Sequence, residues 1–309
     1  MKREKLKLST ILSYALATGS GYQIMGSLVG AYLMIFLTDT FGVPAGAVGV
    51  ITVVASIWDA INDPMMGTIA DRTKSRWGKY RPYFLFIPAI LTVVVVLLFA
   101  SPNIGTHGKI IWTAVFYILY GMLRTAIEIP SGALINAVTD EPSERSKMIN
   151  AYTMVMGICT TIATSFGLSL VSLFGGDNTA KGYMIVVGLA GLIMTITCWM
   201  CFSTTKETCV QHNEQKPLLE EIKSLFHVKG LLSVIAVWLA AYTAYNIMMS
   251  SSVYYIMYCL CRPDLISMYM FGCFTGWTSW NCYHCSTVYE IIPQDTKSIC
   301  NFSGCSNYM

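Results

Sequence analysis

An all-α polytopic membrane protein is the fold class this sequence predicts, on three observations. Hydrophobic residues make up 54% of the 309-residue chain and charged ones only 12%, at a mean hydropathy of +0.55, outside the range of a soluble globular domain of this length. The apolar residues gather in runs long enough to cross a bilayer, for which a helix needs about 20. Lys and Arg fall after alternate runs, a distribution that sets membrane orientation.

The first run, 11–37, follows a short basic start of Lys2, Arg3, Lys5 and Lys7. Such a start could open a secretory leader, with Ala15, Leu16 and Ala17 as the cleavage site, but the apolar stretch between them is too short and the helical pattern continues to Leu37. A first span with a cytoplasmic amino terminus is predicted instead. Further spans are predicted at 44–70, 82–100, 110–138, 148–174, 182–203 and 230–258, with an eighth beginning after Pro263. Arg72, Lys74, Arg76, Lys79 and Arg81 follow the second run, Arg145 and Lys147 the fourth, and Lys206, Lys216, Lys223 and Lys229 the sixth. The opposite loops hold only Lys109 and Lys181. The basic loops therefore face the cytoplasm, in a plasma membrane of the bacterial inner-membrane type. The net charge of +3 marks topology and implies no nucleic-acid partner.

Residues 1–203 read as a six-helix bundle, 204–229 as a cytoplasmic linker and 230–276 as the start of a second bundle. The linker charges Lys206, Glu207, Glu214, Lys216, Glu220, Glu221 and Lys223 mix both signs and suit a solvated amphipathic segment, so no chemistry is assigned to them. From Trp277 to Met309 the pattern breaks into a polar, cysteine-rich tail. Cys282, His284, Cys285, Cys300 and Cys305 offer thiolate and imidazole ligands for zinc, yet their spacings match no finger. A frameshift accounts for the composition better: codons for Asn, Cys, Tyr and His end in a pyrimidine, which becomes the middle base of apolar or small residues one base on. No metal site and no resident cofactor is predicted. His107, His212, His227 and His284 all lie outside the predicted spans, which disfavours an imidazole proton relay.

The second run carries Asp59 and Asp63, one helical turn apart on one face, with Asn62 beside them. A charge at mid-bilayer costs roughly 2.5–3.5 kcal/mol on the lenient insertion scales, so an intramembrane carboxylate marks a functional site. Two on one face repel until a proton or a hard cation neutralises them. Pro64 lacks an N–H and leaves the Ala60 carbonyl as a further oxygen. The fourth run carries Arg124 and Glu128, again one turn apart, with Thr125 between. A self-neutralising ion pair is the plain reading, but its desolvation cost points to a polar cavity or substrate. After the second run, Gly67 suits a close helix approach. Asp71, with Arg72 and Arg76 near it, suits a gate of ion pairs at a helix end, and Lys79 and Arg81 suit lipid phosphate.

Trp58, Asp59, Ala60, Ile61, Asn62, Asp63, Pro64, then Ser75, Arg76, Trp77, Gly78, Lys79, closely resemble the glycoside/pentoside/hexuronide cation symporters. These form the melibiose permease group of the major facilitator superfamily. The likeness runs from about Leu12 to Gly276 and takes in Tyr117, Ile118, Leu119, Gly121, Met122 and Ile127 to Pro130. It implies the major facilitator fold of two six-helix halves, with substrate near the midplane and alternating access by rocking. It implies that Asp59, Asn62, Asp63 and Thr125 bind the coupling Na+ or H+, and that Glu128 contacts sugar hydroxyls. The family's Asp on span one is matched here by Gly21, Tyr22, Gln23. Its span-four Trp is matched by Gly132 and its span-five Arg by Thr153. Gln23, Arg124 and Thr153 are accordingly carried as substrate-binding candidates, and Gly67, Asp71, Arg72 and Arg76 as gating candidates.

The sequence thus leads to a carrier, not an enzyme: a cation-coupled symporter of a sugar, glycoside or hexuronide, in contact with lipid, shortened by a frameshift and inactive for transport in this form. The rival readings are a half-transporter that binds without moving its ligand, and a membrane protein whose cysteine tail holds zinc.

Overall fold

The computed structural model describes residues 6–176, 178–208 and 229–254. They fall into two compact units, one containing 6–208 and the other the helix within 229–254. The first unit is built from α1 (Leu8–Thr40), α2 (Ala45–Arg72), α3 (Arg81–Leu98), α4 (Thr106–Val138), α5 (Pro142–Gly175) and α6 (Thr179–Thr204), each long and apolar enough to cross a membrane. In the second unit, α7 (Lys229–Tyr254) carries an apolar stretch at Ile235–Ala244. The eighth span, most of the linker and the cysteine tail fall outside the described residues.

Elements start where the chain chemistry allows. Pro44 precedes α2, Pro82 sits in the first turn of α3, and Pro142 opens α5, positions where a missing N–H costs no helical bond. The Asn178 side chain accepts from the Lys181 N–H at 3.1 Å and caps α6. Gly176, at φ +52°, ends α5. Helices α4 and α5 begin at Thr106 and Pro142 rather than 110 and 148, because their first turns are polar and lie outside the apolar windows that locate spans. Glu144 in the first turn of α5 suits the positive helix end.

Helix α1 packs on α5 and α6, α2 on α4, and α3 on both α4 and α6. Small residues set the close approaches. A Cβ built on Gly21 would overlap the Met194 backbone of α6, and one on Gly182 would overlap the Val171 carbonyl of α5. At one end, Phe36, Phe99 and Tyr183 form a ring cluster with centroids 5.1–5.7 Å apart.

The opposite end carries the basic loop, and there the structure departs from expectation. Glu207 is a clasp rather than a solvated linker charge. Its carboxylate accepts from the backbone N–H groups of Lys79 at 2.7 Å, Tyr80 at 2.8 Å and Arg81 at 2.9 Å, where α3 begins. Gly78, at φ +112°, makes room: a Cβ there would lie 2.6 Å from Glu207 Oε1. Thr208 N–H donates to the Ala137 carbonyl at 3.0 Å, and its hydroxyl to the Val138 carbonyl at 2.8 Å. Residues 205–208 therefore tie α6 to the ends of α3 and α4.

Lys79 and Arg81 are also engaged within the protein. Lys79 Nζ lies 2.9 Å from Asp71 Oδ1, which also accepts from the Tyr80 hydroxyl at 3.0 Å. Burial disfavours the Lys79 ammonium, but Asp71 and Tyr80 more than offset it and raise its pKa above the usual lysine value. Arg81 donates to the Trp77 carbonyl at 3.1 Å and to the Phe202 carbonyl.

Candidate functional site

Asp59 and Asp63 project from α2 toward α4, which supplies most of the facing wall. A cavity of about 330 Å³ is lined from α2 by Ala55, Asp59 and Asp63, and from α4 by Tyr117, Tyr120, Gly121, Arg124, Thr125, Glu128 and Ile129. The α4 set recurs every three or four residues, so one helix face carries it. The Thr125 hydroxyl donates to Asp63 Oδ1 at 2.9 Å. Gly121 lets the neighbouring carboxylate lie against α4, since a Cβ there would stand 2.7 Å from Asp59 Oδ1. Asp63, Thr125 and Asp59 thus offer hard oxygens along one seam, the donor type that alkali cations prefer.

One turn further along α4, Arg124 Nε lies 3.3 Å from Glu128 Oε2. Tyr22 completes this pair: its hydroxyl donates to Glu128 Oε2 at 2.9 Å and accepts from Arg124 Nε at 3.3 Å. The Tyr22 side chain reaches them from α1, directly after a π-helical turn at Ala17–Gly21, a local widening frequent at functional sites. Arg124 and Glu128 remain 50% and 56% exposed, so the cavity opens outward from the first unit.

The candidates divide in space. Asp59, Asp63, Arg124, Thr125 and Glu128 line one cavity. Asn62 is not among the lining residues; it is buried, 7% exposed, with its amide nitrogen lacking a hydrogen-bond partner. Gln23 and Thr153 do not line the cavity. Gln23 donates to the Tyr152 hydroxyl at 3.3 Å, and the exposed Thr153 bonds back to the Ile149 carbonyl at 2.9 Å within its own helix. Helix α2 runs unbroken through Pro64. Gly67 meets no close neighbour: a Cβ built there finds nothing within 4 Å, so the close helix approach expected at Gly67 is not made within the described residues. Arg72 is exposed, and Arg76 stacks on the Trp77 ring at 4.3 Å.

Tyr22, Tyr117, Tyr120 and Gly121 were not singled out as site residues by sequence reasoning. The signal for the α4 trio was present, as Tyr117, Tyr120, Arg124 and Glu128 share helical spacing. Tyr22 gave no comparable signal, because a phenol in an apolar run reads as core.

A bundle of membrane-crossing helices with ionisable residues converging on a polar cavity marks a functional site within the membrane. The chain belongs to the MFS/sugar transport protein family, whose profile matches residues 14–279. The inner membrane symporter YicJ of Escherichia coli K12 is 31% identical over 275 residues, covering 87% of this chain and 58% of its own length. The isoprimeverose transporter of Lactiplantibacillus pentosus is 36% identical over 203 residues, covering 64% of this chain and 42% of its own. A glucuronide carrier protein homolog of E. coli K12 is 26% identical over 279 residues, covering 86% and 58%. The chain thus spans about half the length of such relatives. It is a multi-pass membrane protein of the major facilitator superfamily.

Proposed function

We propose that the first unit supplies the coupling-ion site and part of the sugar site of a cation-coupled symporter, transport itself belonging to a two-bundle protein. The observation that carries this reading is the shared cavity: Asp59, Asp63, Thr125, Arg124 and Glu128 line one space of about 330 Å³, with the Tyr22 hydroxyl bonded to both Arg124 and Glu128. In the proposal Asp59 and Asp63 take Na+ or H+, Thr125 orients Asp63, and Asn62 turns its buried amide toward the ion. Glu128 accepts from sugar hydroxyls, held in place by Tyr22 and Arg124. The family, with its symporter and isoprimeverose-transporter relatives, supports a sugar or glycoside substrate. The glucuronide carrier homolog keeps a hexuronide in the set to be tested.

An ion bound between two carboxylates removes their repulsion and fixes α2 against α4, where Glu128 also resides. Loading the ion then raises sugar affinity, and by linkage sugar raises ion affinity by the same factor. The amino terminus and the basic loops lie on the cytoplasmic side in this reading. The Asp71–Lys79 pair, with Arg72, Arg76 and Gly67 nearby, forms the first unit's share of a cytoplasmic gate. Gln23 and Thr153 act at the edge of the substrate path, Gln23 through Tyr152 and Thr153 from the α5 surface.

Sodium titration of the purified 309-residue chain, followed by thermal unfolding in detergent, tests the ion assignment. Sodium or a drop in pH should stabilise the chain, and Asp59→Cys and Asp63→Cys should each abolish that stabilisation. Retention of the full effect in both variants would refute the site. In a two-bundle version of the gene, Asp59→Cys should abolish uphill sugar uptake.

A further inference from the structure

We infer that the loop between α2 and α3 is a binding site for the phosphate of an anionic phospholipid. Lys79 and Arg81 suit that role by sequence, but both are spent inside the protein, on Asp71 and on the Trp77 and Phe202 carbonyls. Arg145 and Lys147, in the first turns of α5, are likewise paired, with Asp140 and Glu144. Arg72, Lys74 and Arg76 are the opposite case. All three are exposed, and none forms an ion pair among the described residues. The two carboxylates packed on this loop are engaged elsewhere: Asp71 holds Lys79 and the Tyr80 hydroxyl, and Glu207 accepts from three backbone N–H groups.

The loop fixes where these cations stand. The Thr73 and Tyr83 hydroxyls are 2.7 Å apart, the Trp77 N–H donates to Ser75 Oγ at 3.1 Å, and the Gly78 N–H donates to the Ser75 carbonyl at 3.2 Å. Arg76 lies over the Trp77 ring at 4.3 Å, which leaves its fork of N–H groups for phosphate oxygens. Trp77 in turn packs on Phe86 of α3 and Phe202 of α6, with centroids 6.0 and 6.2 Å away.

Position along the helices fits a headgroup. Phe86 and Trp199 are half-exposed, and the Trp199 indole N–H donates to the Leu85 carbonyl at 3.0 Å, so the two rings share one surface of α3 and α6. Each lies about 8 Å inside its helix end, at 1.5 Å per residue. Exposed aromatic rings mark the headgroup boundary of a membrane protein. Arg76 is joined to Phe86 through a single ring, that of Trp77, and so stands just outside this boundary, at the level of lipid phosphate. A soluble phosphate would meet the charge alone, whereas a phospholipid also covers the rings.

The test follows thermal unfolding of the 309-residue chain in neutral detergent, titrated with dioleoylphosphatidylglycerol, dioleoylphosphatidylcholine or glycerol phosphate. A basic side chain near an anionic surface strengthens association about fivefold. The three together should therefore give phosphatidylglycerol a midpoint at least about tenfold lower than that of phosphatidylcholine. Replacing Arg72, Lys74 and Arg76 together by Gln should reduce that preference to about twofold, while Arg72→Lys with Arg76→Lys, which keeps the charge, should retain most of it. No preference in the unmodified chain overturns the inference, as does a preference that survives the triple Gln variant. An equal loss on replacing Lys2, Arg3, Lys5 and Lys7 by Gln also overturns it, because the effect then belongs to the whole basic end and not to this loop. Glycerol phosphate that stabilises the chain at the same concentration as phosphatidylglycerol overturns the lipid as occupant.

Discussion

Removing the Glu207 clasp should cost more than a single helix cap. One carboxylate accepts from three consecutive N–H groups, at 2.7, 2.8 and 2.9 Å, two of them just before α3 and one at its first residue. An ordinary cap is worth about 0.5–2 kcal/mol, and hydrogen bonds to a charged acceptor about 1.5–3 kcal/mol each when counted singly. The freed N–H groups lie near the aqueous end of the bundle and regain some water, so Glu207→Ala should lose about 2–4 kcal/mol. Glu207→Gln keeps one carbonyl oxygen for Tyr80 and Arg81 but turns a donor toward Lys79, and about half that loss is expected.

Gly78 supplies the control. At φ +112° any side chain is strained by about 1–3 kcal/mol, and a Cβ would also press on Glu207 Oε1 at 2.6 Å. Gly78→Ala should therefore cost more in the native background than in Glu207→Ala, where only the backbone strain remains. A coupling of about 1 kcal/mol or more is expected from the double-mutant cycle. Reversible unfolding in mixed detergent micelles, followed by far-ultraviolet circular dichroism, gives all four stabilities. Additivity of the two substitutions, or a loss below about 0.5 kcal/mol for Glu207→Ala, would show that the clasp carries no weight.

Other outcomes follow from the same geometry. Thr125→Val removes the donor to Asp63 and should weaken sodium-dependent stabilisation about tenfold in apparent affinity, read from the midpoint of a sodium titration. Tyr22→Phe deletes the hydroxyl between Arg124 and Glu128 and should weaken methyl glycoside binding roughly 5- to 50-fold while leaving the sodium midpoint in place; a shift of both together would mean that Tyr22 acts only on the fold. Gly182→Ala drives a methyl into the Val171 carbonyl and should destabilise the bundle by about 1–3 kcal/mol, visible as a lower unfolding midpoint. The Lys79–Asp71 pair has a pH signature. The folded pKa of Lys79 is raised, so its contribution is complete below the ordinary lysine value of about 10.4 and fades as pH rises through the folded value. Asp71 is 63% exposed and the pair is screened, so Lys79→Met should cost under about 1 kcal/mol at neutral pH, with the difference from the parent vanishing in strong alkali.

The membrane spans were legible because bilayer thickness imposes a length and a composition that no other constraint mimics. The same rule hid the polar first turns of α4 and α5, since a window tuned to apolar residues cannot register Thr106 or Pro142 as helical. The carboxylates at 59 and 63 were equally legible, because their cost in a membrane singles them out. Glu207 was not: among mixed charges its role depends on where the chain returns after α6, which only tertiary packing decides. Gln23 and Thr153 were carried over by resemblance alone; neither lines this cavity, Gln23 bonding to the Tyr152 hydroxyl and Thr153 to the Ile149 carbonyl of its own helix. Arg124 was legible as an oddity, and Tyr22 supplies the physical reason it is tolerated, by sharing its charge with Glu128 through one hydroxyl.

The burial of α1 has a consequence for how the chain is made. Its partners are α5 and α6, and about a hundred residues separate Thr40 from Pro142. At a synthesis rate of about 5–20 residues per second, the first helix leaves the ribosome roughly 5–20 s before α5 begins and roughly 8–33 s before α6 is complete at Thr204. During that interval its small-residue face, with Gly19 and Gly21 open, borders lipid or the insertion machinery. Assembly of this bundle must therefore close around its oldest segment after synthesis of its youngest, which places the slow, error-prone step late in biogenesis.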